Sequence, residues 1–456
     1  MAIARGRKIW VCNVTSLELL SCLRKHARMG AMERRTFLVG GAAALQAFSA
    51  NETINMAIVG VGSRGTEHVK QYLKLPLARV AALCDVDTAQ MERVSQIVYD
   101  QTQKRPKAYQ DLRKLYEDKD IDAVSIATPN HWHALATVWA IQAGKDVYCE
   151  KPACYNIFEG QQMVKAARKN NRMLQIGMQG RSVVHKRKAI ELVRGGAIGK
   201  VYMARGLCFK SRPSIGKTPP EAVPAGLNWD IFLGPAPMRP YTKNRFHYNW
   251  HWFWDTGNGD IGNQGIHEMD IARWGLNRTL PKRVSCAGGK YVYDDDQETP
   301  NTQIATFDYG DAELVFEVRG FPTGGEATIQ PGGPNFIGNI FFGEHGYLSV
   351  DHLGFQIFLG PKREPGQSGK AEPGDTGPHM QNFLEAVRSR RWQDLRGDLQ
   401  EGVNSAALVH MANISYRLGR GLDFDPATET FPHDTEANAM RTRPKYREPY
   451  VFPNLA

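Results

Sequence analysis

The chain has 456 residues, 42% hydrophobic and 23% charged, which excludes a disordered or fibrous protein and leaves room for more than one core. The net charge of +10 does not mark a nucleic-acid binder: residues 1–50 hold eight Lys and Arg against Glu18 and Glu33, so 10 − 6 leaves +4 for the rest, with no basic stripe. Charged residues interrupt every apolar run before the roughly 18 residues of a membrane span, so none is expected.

Residues 1–50 read as an N-terminal extension that ends in a twin-arginine export signal. Arg34-Arg35 is followed by Thr36-Phe37-Leu38, an apolar run from Val39, and small residues near Ala47, Ser49 and Ala50 where a leader would be cut. Met32 offers a second start. The expectation is a periplasmic or otherwise exported protein. Downstream remain Cys84, Cys149, Cys154, Cys208 and Cys286, an odd, widely spaced set that predicts buried free thiols rather than a disulfide framework.

From Ile54 short apolar runs alternate with amphipathic stretches. Strands are expected over 54–59, 80–84, 123–127, 147–149 and 173–177, and helices over 66–74, 134–143 and 160–169. This alternation predicts a doubly wound parallel sheet, a Rossmann NAD(P)-binding domain spanning 51–178. Between the first strand and helix lies Gly60-Val-Gly62-Ser63-Arg64-Gly65. The first glycine permits a tight turn, the second lets backbone approach a pyrophosphate, and the third lets helix and strand pack closely. Asp85, twenty residues beyond Gly65, closes the second strand where a carboxylate can accept from adenosine ribose hydroxyls. It would repel a 2′-phosphate and so favours NAD, while Arg64 leaves NADP possible.

Two further segments fall at strand ends, where open α/β sheets place their chemistry. In Ala127-Thr128-Pro129-Asn130-His131-Trp132-His133 the HxH pair lacks a further ligand at metal spacing, so no metal is expected. Thr128, Asn130 and His133 are instead expected beside the nicotinamide ribose. The second segment is Glu150-Lys151-Pro152.

The glycine fingerprint, ATPNHWH and EKP together resemble the Gfo/Idh/MocA oxidoreductases, from about Ile54 to the C-terminus. The resemblance implies an active-site lysine at Lys151, a cofactor-pocket carboxylate at Glu150 and a cis peptide before Pro152. Many members carry an aspartate, three residues and then a histidine on one helix. Within Gly257-Asn-Gly-Asp260-Ile-Gly-Asn263-Gln264-Gly265-Ile-His267 the histidine matches at His267, but Asn263 holds the aspartate position. Asn263 cannot accept a proton, so the reading gives the proton of a secondary alcohol to His267 and the developing oxyanion to Lys151.

A second domain, 179–427, is expected to be α+β with a large open antiparallel sheet, its strands near 201–208, 282–287, 302–309, 313–319, 339–343 and 355–359. The resemblance implies that the outer face of this sheet joins subunits into a homodimer or homotetramer. Phe246-His-Tyr248-Asn-Trp-His-Trp252-Phe-Trp254 holds six aromatics in nine residues, about half expected inward and the rest suited to a sugar. Tyr248, Trp252, Gln179 and Arg181 are therefore expected to line the substrate cleft with Asn263 and His267. Gly/Pro-rich 322–334 and 361–378 read as loops, 380–388 and 402–418 as helices, and 428–456 as an irregular strap.

The function expected is an NAD(P)-dependent oxidoreductase acting on a secondary hydroxyl of a sugar or glycoside. Outside the cytoplasm free NAD is scarce, so the cofactor would be tightly bound and recycled. Two alternatives remain: an NAD-dependent glycoside hydrolase working by oxidation, elimination, hydration and reduction, and a non-catalytic sugar or cofactor sensor. The family's exported glycosidases lack a counterpart of His267, which favours the first reading.

Overall fold

A computed structural model of the chain describes residues 53–321, 336–374, 376–453 and 455. The export signal and the Gly/Pro stretch 322–334 lie outside the described residues. Strands β1 (Ile54–Val59), β2 (Ala78–Cys84), β3 (Lys107–Tyr109), β4 (Ala123–Ile126), β5 (Asp146–Cys149) and β6 (Leu174–Ile176) form one all-parallel sheet. Its order is β3-β2-β1-β4-β5-β6. The order reverses between β1 and β4, and a crevice opens beyond their carboxyl ends, where Gly60 and Thr128 stand.

Both faces of this sheet are covered, which is why β4, β5 and β6 are buried from end to end. One face carries α1 (Ser63–Tyr72) and α2 (Thr88–Thr102), the other α3 (Leu112–Glu117), α4 (Asn130–Gln142) and α5 (Ile157–Asn170). Helix α4 begins four residues earlier than its apolar periodicity indicated. His131 and His133 therefore sit in its first turn, about 200° apart around the axis.

Beyond α6 (Val184–Arg194) the second sheet contains β7 (Val201–Phe209), β8 (Arg283–Gly289), β9 (Thr302–Asp308), β10 (Glu313–Arg319), β11 (Phe336–Gly343), β12 (Gly346–Asp351), β13 (Gly354–Leu359), β14 (Glu364–Lys370) and β15 (Leu422–Asp423). The order is β14-β13-β12-β11-β7-β10-β9-β8-β15. The sheet is mixed rather than purely antiparallel, because β7 and β10 pair in parallel. No hairpin fixes their direction: α7 (Trp229–Leu233), α8 (Ile266–Leu276), β8 and β9 intervene. Strict alternation of burial along β10 shows one covered face, over which α8 crosses β7 and β11.

Residues 361–378 are not a loop. They include β14, a polar edge strand with no apolar alternation to betray it, and the start of α9 (Thr376–Ser389). Helices α9 and α10 (Leu399–Leu418) return to the dinucleotide-binding layer. Met380, Phe383 and Leu384 pack in one cluster with Met56 and Ile58 of β1, and α10 lies against α5. Ile54–Ala456 accordingly form one compact unit. The tail, with α11 (Thr435–Ala439), straps the chain's own surface: the Tyr450 hydroxyl donates to Asp230 at 2.7 Å and its ring meets Trp132 edge-on.

Of the five cysteines, Cys84, Cys149, Cys154 and Cys208 are buried free thiols and Cys286 is only partly buried. Among the described residues no helix is long and apolar enough to cross a membrane, and no group of three His, Cys, Asp or Glu is disposed to hold a metal ion.

Candidate active site

A cavity of about 760 Å³ runs from the glycine turn to the segment between α7 and α8, within the roughly 300–1,000 Å³ of small-molecule sites. Its floor is the glycine turn. Gly60 has φ +80°, and a Cβ there would lie 2.8 Å from the Ala127 carbonyl. A Cβ on Gly65 would lie 1.8 Å from the Gly60 carbonyl, so that residue sets how closely α1 seats on the turn. A Cβ on Gly62 would meet nothing within 4 Å, leaving the turn's backbone open to the cavity beside Ser63. Such an open turn ahead of a helix N-terminus suits a diphosphate.

Asp85 stands at one end. Its carboxylate accepts from the Val61 N–H at 2.6 Å and the Asp87 N–H at 2.9 Å, which fixes its orientation. Burial raises its pKa to about 6 against those hydrogen bonds. Arg64 points away from this end, toward Glu150; the cation nearby is Arg93, which donates to Thr66 Oγ1 at 2.9 Å. Over the same end folds a segment of the second domain. The Asn228 N–H donates to Val86 O, the Gln110 amide to Gly226 O, and His247 Nε2 lies 3.3 Å from Asp87. Ile231, Phe232 and Phe246 complete that roof.

Glu150 lies behind the turn, buried and bound by Arg64 Nε at 2.8 Å, His68 Nε2 at 3.0 Å and the Gln179 amide at 2.9 Å. Burial would raise its pKa, but Arg64 and His68 outweigh this and hold it well below the usual carboxylate range. Glu150 is thus a charged anchor that orients Arg64. Gln179 is correspondingly not directed at a substrate: its amide is spent on Glu150 and the Tyr148 hydroxyl. Arg181 is likewise committed, as a buried fork on Asp270 with both bonds at 2.8 Å and a third bond to Glu401. The short 3₁₀ turn Gln179–Ser182 directs both side chains into the protein.

At the other end Lys151, following a strand and preceding a cis proline, donates from Nζ to the Asn263 carbonyl, with Asn263 Oδ1 at 3.5 Å. Burial lowers the Lys151 pKa to about 8, although Glu150 opposes the shift. Asn263 Nδ2 donates to the Tyr248 hydroxyl at 3.2 Å and lies 3.5 Å from Asp260. Arg212 forks onto the buried Asp260 at 2.7 and 3.1 Å and also donates from Nη1 to Tyr248 at 3.2 Å. Lys151, Asn263 and Tyr248 line the cavity. Asp260 stands three residues before Asn263, in the same motif. Arg212, some fifty residues earlier and in no motif, gave no signal.

The remaining expected residues divide. Thr128 and Asn130 line the cavity; Thr128 Oγ1 is buried without a protein partner, an atom that a bound ribose or amide can satisfy. His133 lines it too, yet both ring nitrogens face carbonyls, of Pro152 at 2.6 Å and Thr128 at 2.8 Å, which makes it a brace. Trp252 is buried away from the cavity and packs beneath the Arg212 guanidinium, 5.4 Å from its ring centre. Phe246, Tyr248 and Trp250 face the cavity, while Trp252 and Phe253 turn inward. His267 is not among the lining residues. It is only partly buried and makes no hydrogen bond among the described residues; desolvation, then the nearby Lys151 charge, push its pKa down to about 3.

Residues 54–178 match the oxidoreductase family with an NAD-binding Rossmann fold, and 163–315 with 367–452 match that family's C-terminal alpha/beta domain. The chain belongs to the Gfo/Idh/MocA oxidoreductase family. It is 30% identical over 207 residues to a glycosyl hydrolase family 109 protein of Saccharopolyspora erythraea, covering 42% of this chain and 45% of that protein. It is equally 30% identical over 173 residues to the inositol 2-dehydrogenase of Salmonella typhimurium, covering 38% and 50%. The chain thus spans about half the length of the curated relatives it matches. Its fold is that of the aldose-aldose oxidoreductase of Caulobacter crescentus, solved with glycerol, at a TM-score of 0.62, 19% identity and coverage of 82% of this chain and 100% of that one. The WlbA dehydrogenase of Bordetella pertussis, solved with NADH and UDP-GlcNAcA, aligns at a TM-score of 0.60 with 18% identity over 82% and 99%.

Proposed function

We propose that this Gfo/Idh/MocA protein is an NAD-dependent oxidoreductase that interconverts a secondary hydroxyl and a ketone on a sugar or glycoside. The observation that carries the reading is one cavity with the open glycine turn and the Asp85 carboxylate at one end and the Lys151–Asn263–Tyr248 cluster at the other. A nicotinamide cofactor held along that length would accept or return hydride at a carbinol carbon. Asp85, aligned by Val61 and Asp87, receives the ribose hydroxyls and disfavours a 2′-phosphate, which supports NAD over NADP. Lys151, with one of its three N–H bonds spent on Asn263, keeps the others for an oxygen that becomes anionic.

The roof over the adenosine end supports a cofactor that leaves slowly and is recycled in place. Retention of that kind suits the twin-arginine signal, since a protein exported folded can carry its cofactor to the periplasm. Partly exposed Phe342, Tyr347 and Phe358, directly opposite one another on β11, β12 and β13, support a subunit interface on the open sheet face and hence a homodimer or homotetramer.

The test is to add a panel of aldoses, polyols and glycosides to purified protein and follow the reduced-nicotinamide absorbance band. Growth of the band with one class of sugar supports the proposal; protein that neither retains nor binds a nicotinamide nucleotide rejects it. The resemblance to glycosyl hydrolase family 109 proteins favours a second reading, glycoside cleavage through a transient ketone. Aryl glycosides release a coloured aglycone under that reading and none under net oxidation.

A further inference from the structure

We propose that Tyr248 is the catalytic residue that carries the proton of the reacting hydroxyl, in place of the carboxylate absent at position 263; this rests on the oxidoreductase reading above. The first observation is place. Tyr248 lines the cavity beside Lys151 and Asn263, whereas His267 does not. Tyr248 is also 46% exposed, so a proton taken up inside the cavity has a direct exit to water.

The second observation is hydrogen-bond polarity. Arg212 Nη1 and Asn263 Nδ2 both donate to the Tyr248 hydroxyl oxygen, each at 3.2 Å. A phenol has one O–H and two lone pairs. With both lone pairs receiving donors, the O–H is left to point at a third group, and the cavity is where that group stands. Once deprotonated, the same oxygen keeps both donors and still has a lone pair for an incoming proton. The pair is held in position from behind. Asp260 anchors the Arg212 fork, and Trp252 packs beneath it.

The third observation explains the asparagine. The Asn263 amide is oriented by its neighbours: Oδ1 faces Lys151 Nζ and Nδ2 faces both Tyr248 and Asp260. An aspartate at this position would accept where Asn263 donates and would tie up the Tyr248 O–H. Asparagine thus moves the proton-handling group from position 263 to the adjacent phenol.

In the oxidation direction the carbinol C–H bond breaks and its hydrogen leaves with both bonding electrons, as hydride, for C4 of the nicotinamide. The substrate O–H bond breaks, its proton forms the Oη–H bond of Tyr248, and the carbon–oxygen double bond closes. Lys151 stabilises the transient negative oxygen. In the reduction direction Tyr248 Oη–H gives its proton to that oxygen as the hydride returns to carbon.

The test compares Tyr248→Phe and His267→Gln with wild type in four readouts: NAD affinity by fluorescence titration, sugar-dependent turnover, its pH profile and its solvent deuterium isotope effect. Tyr248→Phe should bind NAD as wild type does and lose roughly 100-fold or more in turnover, the scale of a missing acid–base group. One ionisation should vanish from its pH profile, and His267→Gln should keep that ionisation. An active wild type with Tyr248→Phe within about threefold of it, or a His267→Gln variant that alone loses the ionisation, overturns the assignment. A wild type inert toward every sugar overturns the oxidoreductase reading itself, and this assignment with it.

Discussion

Replacing Asp85 by Asn isolates what its carboxylate does for the cofactor. In the protein both Asp85 oxygens accept backbone N–H bonds, from Val61 and Asp87, so the side chain cannot turn to suit the change. An amide in that position opposes one N–H with another and withdraws the charged acceptor from the ribose. A hydrogen bond to a charged group contributes about 1.5–3 kcal/mol, and each 1.36 kcal/mol is tenfold, so NAD affinity at pH 7 should fall roughly 10- to 150-fold. NADP affinity should fall less, because the repulsion of a 2′-phosphate disappears. The pH dependence gives an independent check. Burial sets the Asp85 pKa at about 6 in the free protein, and ribose hydroxyl donors favour the charged form and lower it in the complex. Binding then releases a proton near pH 6: affinity is complete above that value and declines as pH falls through it, by up to about tenfold per unit. Fluorescence titration with NAD and NADP from pH 5 to 8 reads both effects. Equal affinity and an identical pH slope in wild type and Asp85→Asn would refute the role given to this carboxylate.

Three further outcomes are expected. Lys151→Met should keep NAD binding but lose about 10²–10³ in turnover, as when one oxyanion donor is removed; in wild type the Lys151 contribution, present below a pKa of about 8, should fade as pH rises through that value. Gly65→Ala should lower thermal stability and weaken NAD binding together, since its methyl meets the Gly60 carbonyl at 1.8 Å and overpacking of that kind costs about 1–3 kcal/mol. Tyr347→Asp on the open sheet face should shift the sedimentation coefficient toward the monomer without changing NAD affinity.

The dinucleotide domain was legible because each of its signals is local. β1, the glycine turn and Asp85 lie within one βαβ unit, and both faces of the sheet are covered, so its strands read as apolar runs. The polar edge strand β14 and the parallel pairing of β7 with β10 left no such trace, since neither apolar alternation nor a short turn encodes them. The site divided along the same line. Lys151 and Asn263 stand in motifs and meet in space, but Gln179, Arg181 and Trp252 are turned inward by tertiary partners distant in sequence: Glu150, Asp270 with Glu401, and Arg212. Arg212 shows the limit most plainly, because its importance comes from contacts with Asp260 and Tyr248 some 36 to 48 residues away.

Whether one nicotinamide nucleotide lies along the cavity from Asp85 to Lys151 is decided by a crystal structure of the protein with NAD. The diphosphate should lie over the Gly60–Gly65 turn, the ribose hydroxyls on Asp85, and the nicotinamide ring beside Lys151 and Tyr248. A nucleotide bound elsewhere, or with its nicotinamide at the Asp85 end, would contradict that placement.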